Sequence, residues 1–171
     1  MPNPYSHPAA LPIDQLLADC DVRRLRRSGP GGQNRNKVET AICLHHRPSG
    51  VQAEANERRS QGQNQTEAIF RLRVNLALQI RSETSLTAFP TDLWRTRCAG
   101  GRLKLSAASD NFPSLLAEAL DVLALCDADL KRASSHLGCT SSQLLRLLKL
   151  DARALALVNR WRVERGLHEL V

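Results

Sequence analysis

The sequence predicts an α+β fold, with a small mixed region first and an all-α region after it. In the first half, short strand-like segments flank a turn and precede a long helical pattern with apolar residues at Ile69, Leu72 and Leu76. From Pro113 onwards the apolar spacing is helical almost to the end of the chain. We therefore divide the chain into a flexible N-terminus (1–11), a mixed domain (12–82), a linker (83–111) and a helical domain (112–171).

Two helices and a strand account for much of the mixed domain. Residues 12–18 predict a short helix, with Pro12 at an early position. Residues 21–27 favour a strand, although their alternation is irregular. Ser60 predicts the N-cap of a long helix that ends near Arg81, and its apolar stripe is suited to covering a sheet.

A hairpin is predicted between these elements. Residues 40–46 and 51–55 flank Arg47-Pro48-Ser49-Gly50, which suits a four-residue loop. Residues 34–39 predict one helical turn before the first of these strands.

The second half contains one ambiguous stretch and four helical patterns. Residues 94–98 and 102–106 flank Gly100-Gly101, so a small hairpin and an irregular linker both fit residues 83–111. Thr140 and Asp151 stand at N-cap positions. The helices are predicted near 113–125, 128–137, 140–149 and 152–165.

Residues 133–149 have a spacing typical of a helix-turn-helix. Gly138 suits the tight turn and Thr140 the cap of a second helix. The polar face of that helix offers Gln143, Arg146 and Lys149 as candidate nucleic-acid contacts. A compact bundle whose turn happens to fit the pattern explains the same residues, so both interpretations stay open.

Composition points to an anionic partner. The chain has 24 Lys and Arg against 17 Asp and Glu, a net charge of +7, which suits RNA or DNA and also an ordinary basic protein. Its five cysteines show no C-x-x-C spacing, so we expect reduced thiols and no metal site. With no signal segment and no membrane-spanning apolar run, we expect a cytoplasmic monomer.

The segment with the most distinctive chemistry is Ser28-Gly29-Pro30-Gly31-Gly32-Gln33-Asn34. Gly31 and Gly32 permit backbone conformations and close approaches that a Cβ would prevent. Gln33 does not ionise, but it orients water or a carbonyl through hydrogen bonds. We therefore expect an exposed tip that presents Gln33 to a partner.

Three runs at fixed spacing give the chain a family resemblance. They are residues 27–38 around Gly-Gly-Gln, residues 40–51 ending in Pro-Ser-Gly-Val, and residues 57–65 around Arg-Ser-Gln. Together they resemble class I peptide-chain release factors over residues 12–82. In size the chain is most similar to the small codon-independent hydrolases that rescue stalled ribosomes.

The resemblance implies hydrolysis of the peptidyl-tRNA ester on the ribosome, without a cofactor. Gly31, Gly32 and Gln33 would be the catalytic residues. The Gln33 backbone N–H would stabilise developing oxyanion charge, and its side chain would admit water. The partners would be peptidyl-tRNA and large-subunit rRNA at the peptidyl-transferase centre.

Basic residues on both sides of this motif are candidate contacts to rRNA or tRNA, since arginine pairs well with phosphate. We also expect Gln61, Gln63, Asn64 and Gln65 to open the long helix, where free N–H groups favour phosphate. The candidate RNA contacts are Arg24, Arg26, Arg27, Arg35, Lys37, Arg58, Arg59 and Gln61.

The sequence departs from the family in two respects. The chain leaves no room for a codon-reading domain, and residues 164–171 do not form the basic tail of the rescue hydrolases. Stalled ribosomes would have to be recognised in another way. Two alternatives remain: a non-hydrolytic ribosome- or RNA-binding protein, and a DNA regulator based on residues 129–149.

Overall fold

The computed structural model describes residues 6–26 and 40–171, and it confirms the α+β class. A 3₁₀ turn (Pro8–Ala10) and helix α1 (Ile13–Ala18) come first, followed by strand β1 (Cys20–Leu25). Strands β2 (Ala41–His46) and β3 (Gln52–Ala55) then complete a three-stranded antiparallel sheet in the order β1-β2-β3.

The predicted β2–β3 hairpin is confirmed. Gly50 has φ +71°, and its N–H donates to the carbonyl of His46 at 2.8 Å. The buried His46 ring also contacts the Ser49 hydroxyl at 2.7 Å, so the loop is held from both backbone and side chain. His45 lies on the opposite face of the strand, 3.5 Å from Asp21, as alternation along a strand requires.

The long helix α2 (Gln61–Gln79) begins at the predicted cap, with Ser60 Oγ accepting from Gln63 N. Its apolar stripe packs on β2 and β3, as predicted. Val74 and Ala77 are buried too, although they lie outside that stripe. The reason is that α2 is also covered by the 3₁₀ turn and by the helix at Phe112–Leu125.

Residues 83–111 contain a helix that the sequence did not predict. Helix α3 (Asp92–Arg97) is capped by Thr91 and buries Trp94 completely. Of the two interpretations left open for residues 83–111, the hairpin arm over 94–98 is therefore helical for most of its length. The Trp94 Nε1–H donates to the carbonyl of Leu137 at 2.8 Å, a contact that residue spacing alone does not reveal.

A minimal hairpin does form at Gly100-Gly101. Strands β4 (Cys98–Ala99) and β5 (Arg102–Leu103) pair antiparallel. Gly100 and Gly101 have φ values of +56° and +73°, the combination that a two-residue type I′ turn requires.

Four helices follow, close to the predicted bounds: α4 (Phe112–Leu125), α5 (Leu130–His136), α6 (Ser141–Lys149) and α7 (Ala152–Glu164). Helix α4 packs against α2, so the apolar core runs without interruption from Leu44 through Leu72 to Leu120. Buried carboxylates on α4 add polar links: Asp121 pairs with Arg81 at 3.1 Å, and Glu118 accepts from Thr91.

Candidate functional site

In the sequence the Gly-Gly-Gln motif, residues 31–33, stands between β1 and β2, whose facing ends lie at one end of the sheet. Leu25, the last residue of β1, is the register partner of Ala41, the first residue of β2. The chain therefore leaves and re-enters the sheet at neighbouring positions. Six predicted site residues, and the helical turn predicted at 34–39, lie outside the described residues: Gly31, Gly32, Gln33, Arg27, Arg35 and Lys37.

Asn64 fixes the point at which the chain re-enters the sheet, just before β2. Its side chain is fully buried, and Nδ2 donates to the carbonyls of Thr40 at 2.7 Å and Arg58 at 2.9 Å. Its Oδ1 accepts from Arg58 N at 2.9 Å. One buried amide therefore joins the backbone before β2 to the turn before α2 through three hydrogen bonds, which satisfy its own polar atoms.

Asn64 lies in the first turn of α2, as expected, but its side chain does not face a phosphate site. Its amide is used inside the protein, because residues 58 and 64 come face to face across the first turn of α2. Gln61 begins the helix and is half-buried. Exposed Ser60 Oγ accepts from Gln63 N, which occupies one of the N–H groups that we expected to be free for phosphate.

Four of the predicted arginines surround this end of the sheet. Arg24 is exposed on β1 opposite Ile42, and exposed Arg26 follows the end of the strand. Arg58 and Arg59 are exposed in the turn whose backbone Asn64 holds. The structure thus places cations on two separate segments around the ends of the Gly-Gly-Gln run.

The acidic side chain that precedes Arg58 and Arg59, Glu57, is paired with Arg71. Glu57 Oε1 accepts from Arg71 Nη1 at 2.8 Å, and that hydrogen bond lowers the pKa of the Glu57 carboxyl below its ordinary value. Within residues 6–26 and 40–171, Arg24, Arg58 and Arg59 form no ion pair. All three guanidinium groups are exposed, and a guanidinium pairs well with phosphate.

The predicted helix-turn-helix residues lie elsewhere, on α6. Gly138 turns the chain at φ +68°, and Thr140 Oγ1 accepts from Gln143 N at 3.2 Å as the cap. Gln143 is half-buried and its Oε1 accepts from Leu103 N at 3.3 Å. Arg146 and Lys149 are exposed.

The described part of the chain contains neither a candidate metal site nor a helix that could span a membrane. No group of three His, Cys, Asp or Glu side chains there is arranged to hold a metal ion. All five cysteines are free thiols. The helices of residues 6–26 and 40–171 are too short or too polar to cross a bilayer.

Residues 13–96 match the family model of the RF-1 domain. That range contains the sheet, α2, the Asn64 contacts and the four described arginines. The chain is 48% identical over 67 residues to the chloroplastic peptide chain release factor PrfB1 of Arabidopsis thaliana. This alignment covers 39% of this chain and 15% of that protein.

Bacterial relatives align over a longer stretch. The chain is 40% identical over 96 residues to peptide chain release factor 1 of Chlorobaculum tepidum, covering 56% of this chain and 26% of that protein. It is 36% identical over 102 residues to the Chloroherpeton thalassium protein of the same name, covering 59% and 28%. The chain thus spans less than a third of the length of these relatives, and no solved structure matches it.

Proposed function

Since this chain belongs, through residues 13–96, to the class I peptide-chain release factor family, we propose that it hydrolyses the ester of peptidyl-tRNA on the ribosome. In this reaction the oxygen of water bonds to the ester carbon. The bond from that carbon to the ribose oxygen of the tRNA breaks, and the ribose oxygen takes a proton. The products are a free peptide and a deacylated tRNA.

Gly31, Gly32 and Gln33 carry the chemistry in this proposal. The Gln33 N–H donates to the negative charge that develops on oxygen, which stabilises the transition state more than the ground state. The Gln33 side chain orients water and leaves no space for a larger nucleophile. Gly31 and Gly32 let the backbone approach the ester closely.

The observation that supports this proposal best is the Asn64 contact with Thr40. Productive attack requires the reacting groups to be held within a narrow range of positions. A fully buried amide anchors Thr40, seven residues after Gln33, at 2.7 Å. Exposed arginines on β1 and in the 58–59 turn would bind the RNA backbone beside it.

We propose further that release does not require a stop codon. The proposal rests on the resemblance to the small rescue hydrolases and on the helical region that follows residues 13–96. Helix α4 packs on α2, so that region shares the core of the catalytic half. Recognition of the stalled ribosome would then depend on these helices.

Peptide release from purified ribosomes tests the activity. Complexes stalled on an mRNA with no codon in the A site are mixed with the wild-type chain, with Gln33→Ala, with Gly32→Ala or with the control Gln79→Ala. Gln79 is an exposed glutamine at the other end of α2, outside the three family runs. We expect release by the wild type and the control, and loss of at least a hundredfold in the two motif variants.

Ribosome binding is measured in parallel. Normal binding with no release above background would refute the hydrolase assignment and favour a docking protein. Equal release by the wild type and Gln33→Ala would refute the catalytic role of Gln33. A second series with a stop codon in the A site tests codon independence. Release that appears only with the stop codon would refute the rescue assignment while leaving hydrolysis intact.

A further inference from the structure

The β4–β5 hairpin lies directly against the start of α6. Thr140 N donates to the carbonyl of Gly101 at 3.3 Å, and Leu103 N donates to Gln143 Oε1 at 3.3 Å. Leu103 is buried in this contact. Hairpin and helix therefore form one continuous surface.

That surface carries four exposed cations, which we call the α6 basic surface: Arg102, Lys104, Arg146 and Lys149. Arg102 and Lys104 flank the buried Leu103 on the hairpin. In the described part of the chain, none of the four forms an ion pair. The segments that contribute them, residues 93–109 and 130–150, contain no Asp or Glu.

The contacts at the start of α6 argue against reading of DNA bases. In helix-turn-helix proteins the first residues of the second helix reach base edges in the major groove. Here Gln143 is bound to the hairpin backbone, and Ser141 Oγ lies 2.9 Å from Ser134 Oγ. The first turn of α6 is thus engaged within the protein, and the cations that remain suit phosphate.

We propose that the α6 basic surface binds the sugar-phosphate backbone of RNA without regard to base sequence. The choice of RNA over DNA rests on the proposed function, since the polyanion beside a ribosome-bound factor is RNA. Arg102 and Arg146 pair with phosphate through the planar guanidinium fork, and the two lysines add point charges. This contact would be separate from the arginines around the Gly-Gly-Gln run.

The test compares two double charge reversals in the full-length chain. Arg146→Glu with Lys149→Glu alters the proposed surface. Arg160→Glu with Arg165→Glu makes the same change of net charge at exposed positions of α7 and its C-cap. Circular dichroism and thermal melting establish that both variants fold.

Affinity is measured by fluorescence anisotropy with a short hairpin RNA, over a series of salt concentrations. We expect the α6 variant to bind at least tenfold more weakly, with the slope of log K against log salt reduced by about 1 to 2. The α7 variant should keep most of the affinity. A hairpin of scrambled sequence should bind equally well to the wild type.

Three results would overturn the inference. One is equal affinity and slope for the wild type and the α6 variant. Another is an equal loss in both variants, which would indicate net charge alone. The third is strong preference for one duplex DNA sequence. Because Gln33→Ala should bind the hairpin RNA like the wild type, failure of the hydrolase proposal is distinguishable from failure of this one.

Discussion

The buried amide of Asn64 donates to the carbonyl of Thr40 at 2.7 Å, across 24 positions of sequence. The same amide donates to and accepts from the backbone of Arg58. A side chain in the first turn of α2 therefore determines where two surface segments lie, one of which leads directly from the Gly-Gly-Gln run.

Asn64→Asp tests this role with an almost unchanged shape. At neutral pH the carboxylate would face two carbonyl oxygens that now receive N–H groups. We expect the free energy of unfolding to fall by about 2–3 kcal/mol, because a buried carboxylate would face two carbonyl oxygens in place of the N–H groups that they now accept. Urea denaturation measures the change.

Gln63→Glu is the matched control, since it makes the same amide-to-acid change at an exposed neighbour. It should alter stability by less than about 0.5 kcal/mol. Equal stability of Asn64→Asp and Gln63→Glu would show that the Asn64 contacts contribute little. We also expect Asn64→Asp to release peptide more slowly than the control.

Trp94→Phe tests the contact between α3 and the α5–α6 turn. The change keeps most of the buried apolar volume but removes the N–H that binds the carbonyl of Leu137. We expect a loss of about 1–2 kcal/mol in the free energy of unfolding. Trp161→Phe, at a half-buried ring 5.7 Å below the Arg81 guanidinium, should cost less. A larger loss for Trp161 would contradict this ranking.

Glu118 should make stability depend on pH. Burial raises the pKa of its carboxyl from 4.5 to about 7, against hydrogen bonds from Thr91 that favour the charged form. Between these values the folded chain keeps a proton that the unfolded chain has lost. The contribution of Glu118 to stability is therefore full below pH 4.5 and falls as the pH rises to about 7.

The loss amounts to as much as about 3 kcal/mol. Glu118→Gln mimics the protonated acid, with an oxygen for Thr91 N and an N–H for the Thr91 hydroxyl. Thermal melts at intervals from pH 4.5 to 8 should show a shallower decline for the variant than for the wild type. Parallel declines in the two proteins would assign the pH dependence to other groups.

Gly100 offers a way to strengthen the hairpin. Its φ of +56° belongs to the first position of a type I′ turn, where asparagine is well accommodated, and a Cβ there meets no atom within 4 Å. We expect Gly100→Asn to leave the melting temperature unchanged or slightly higher. Gly100→Val should cost about 1–2 kcal/mol, because a β-branched residue opposes positive φ. Comparable melting of both variants would contradict the turn assignment.

Local pattern was sufficient for the elements that depend on neighbouring residues. Ser60 and Thr140 cap helices as predicted, and the apolar stripe of α2 covers the sheet. Two predictions stay untested. They are the division of the chain at residues 82 and 112, and the roles of Gly31, Gly32 and Gln33.

Contacts between distant positions were beyond sequence reasoning. Helix α3 is short, and it was missed. Its buried Trp94 binds the carbonyl of Leu137, 43 residues later, and nothing near Trp94 in the sequence indicates that contact. Asn64 stands among polar residues at a helix start, and nothing in that composition indicates a buried amide. Only the fold brings Thr40 and Arg58 to its two polar atoms.

Helix α2 separates the start of β2 from the Arg81–Asp121 ion pair by about its own length. Its 19 residues extend about 28 Å. Asn64 in its first turn holds the start of β2, and Arg81, just beyond its end, pairs with Asp121 of α4. The helix acts as a spacer, so an RNA bound to the α6 basic surface would lie at a set distance from the base of the Gly-Gly-Gln run. That distance would limit which two RNA segments the chain can bind at the same time.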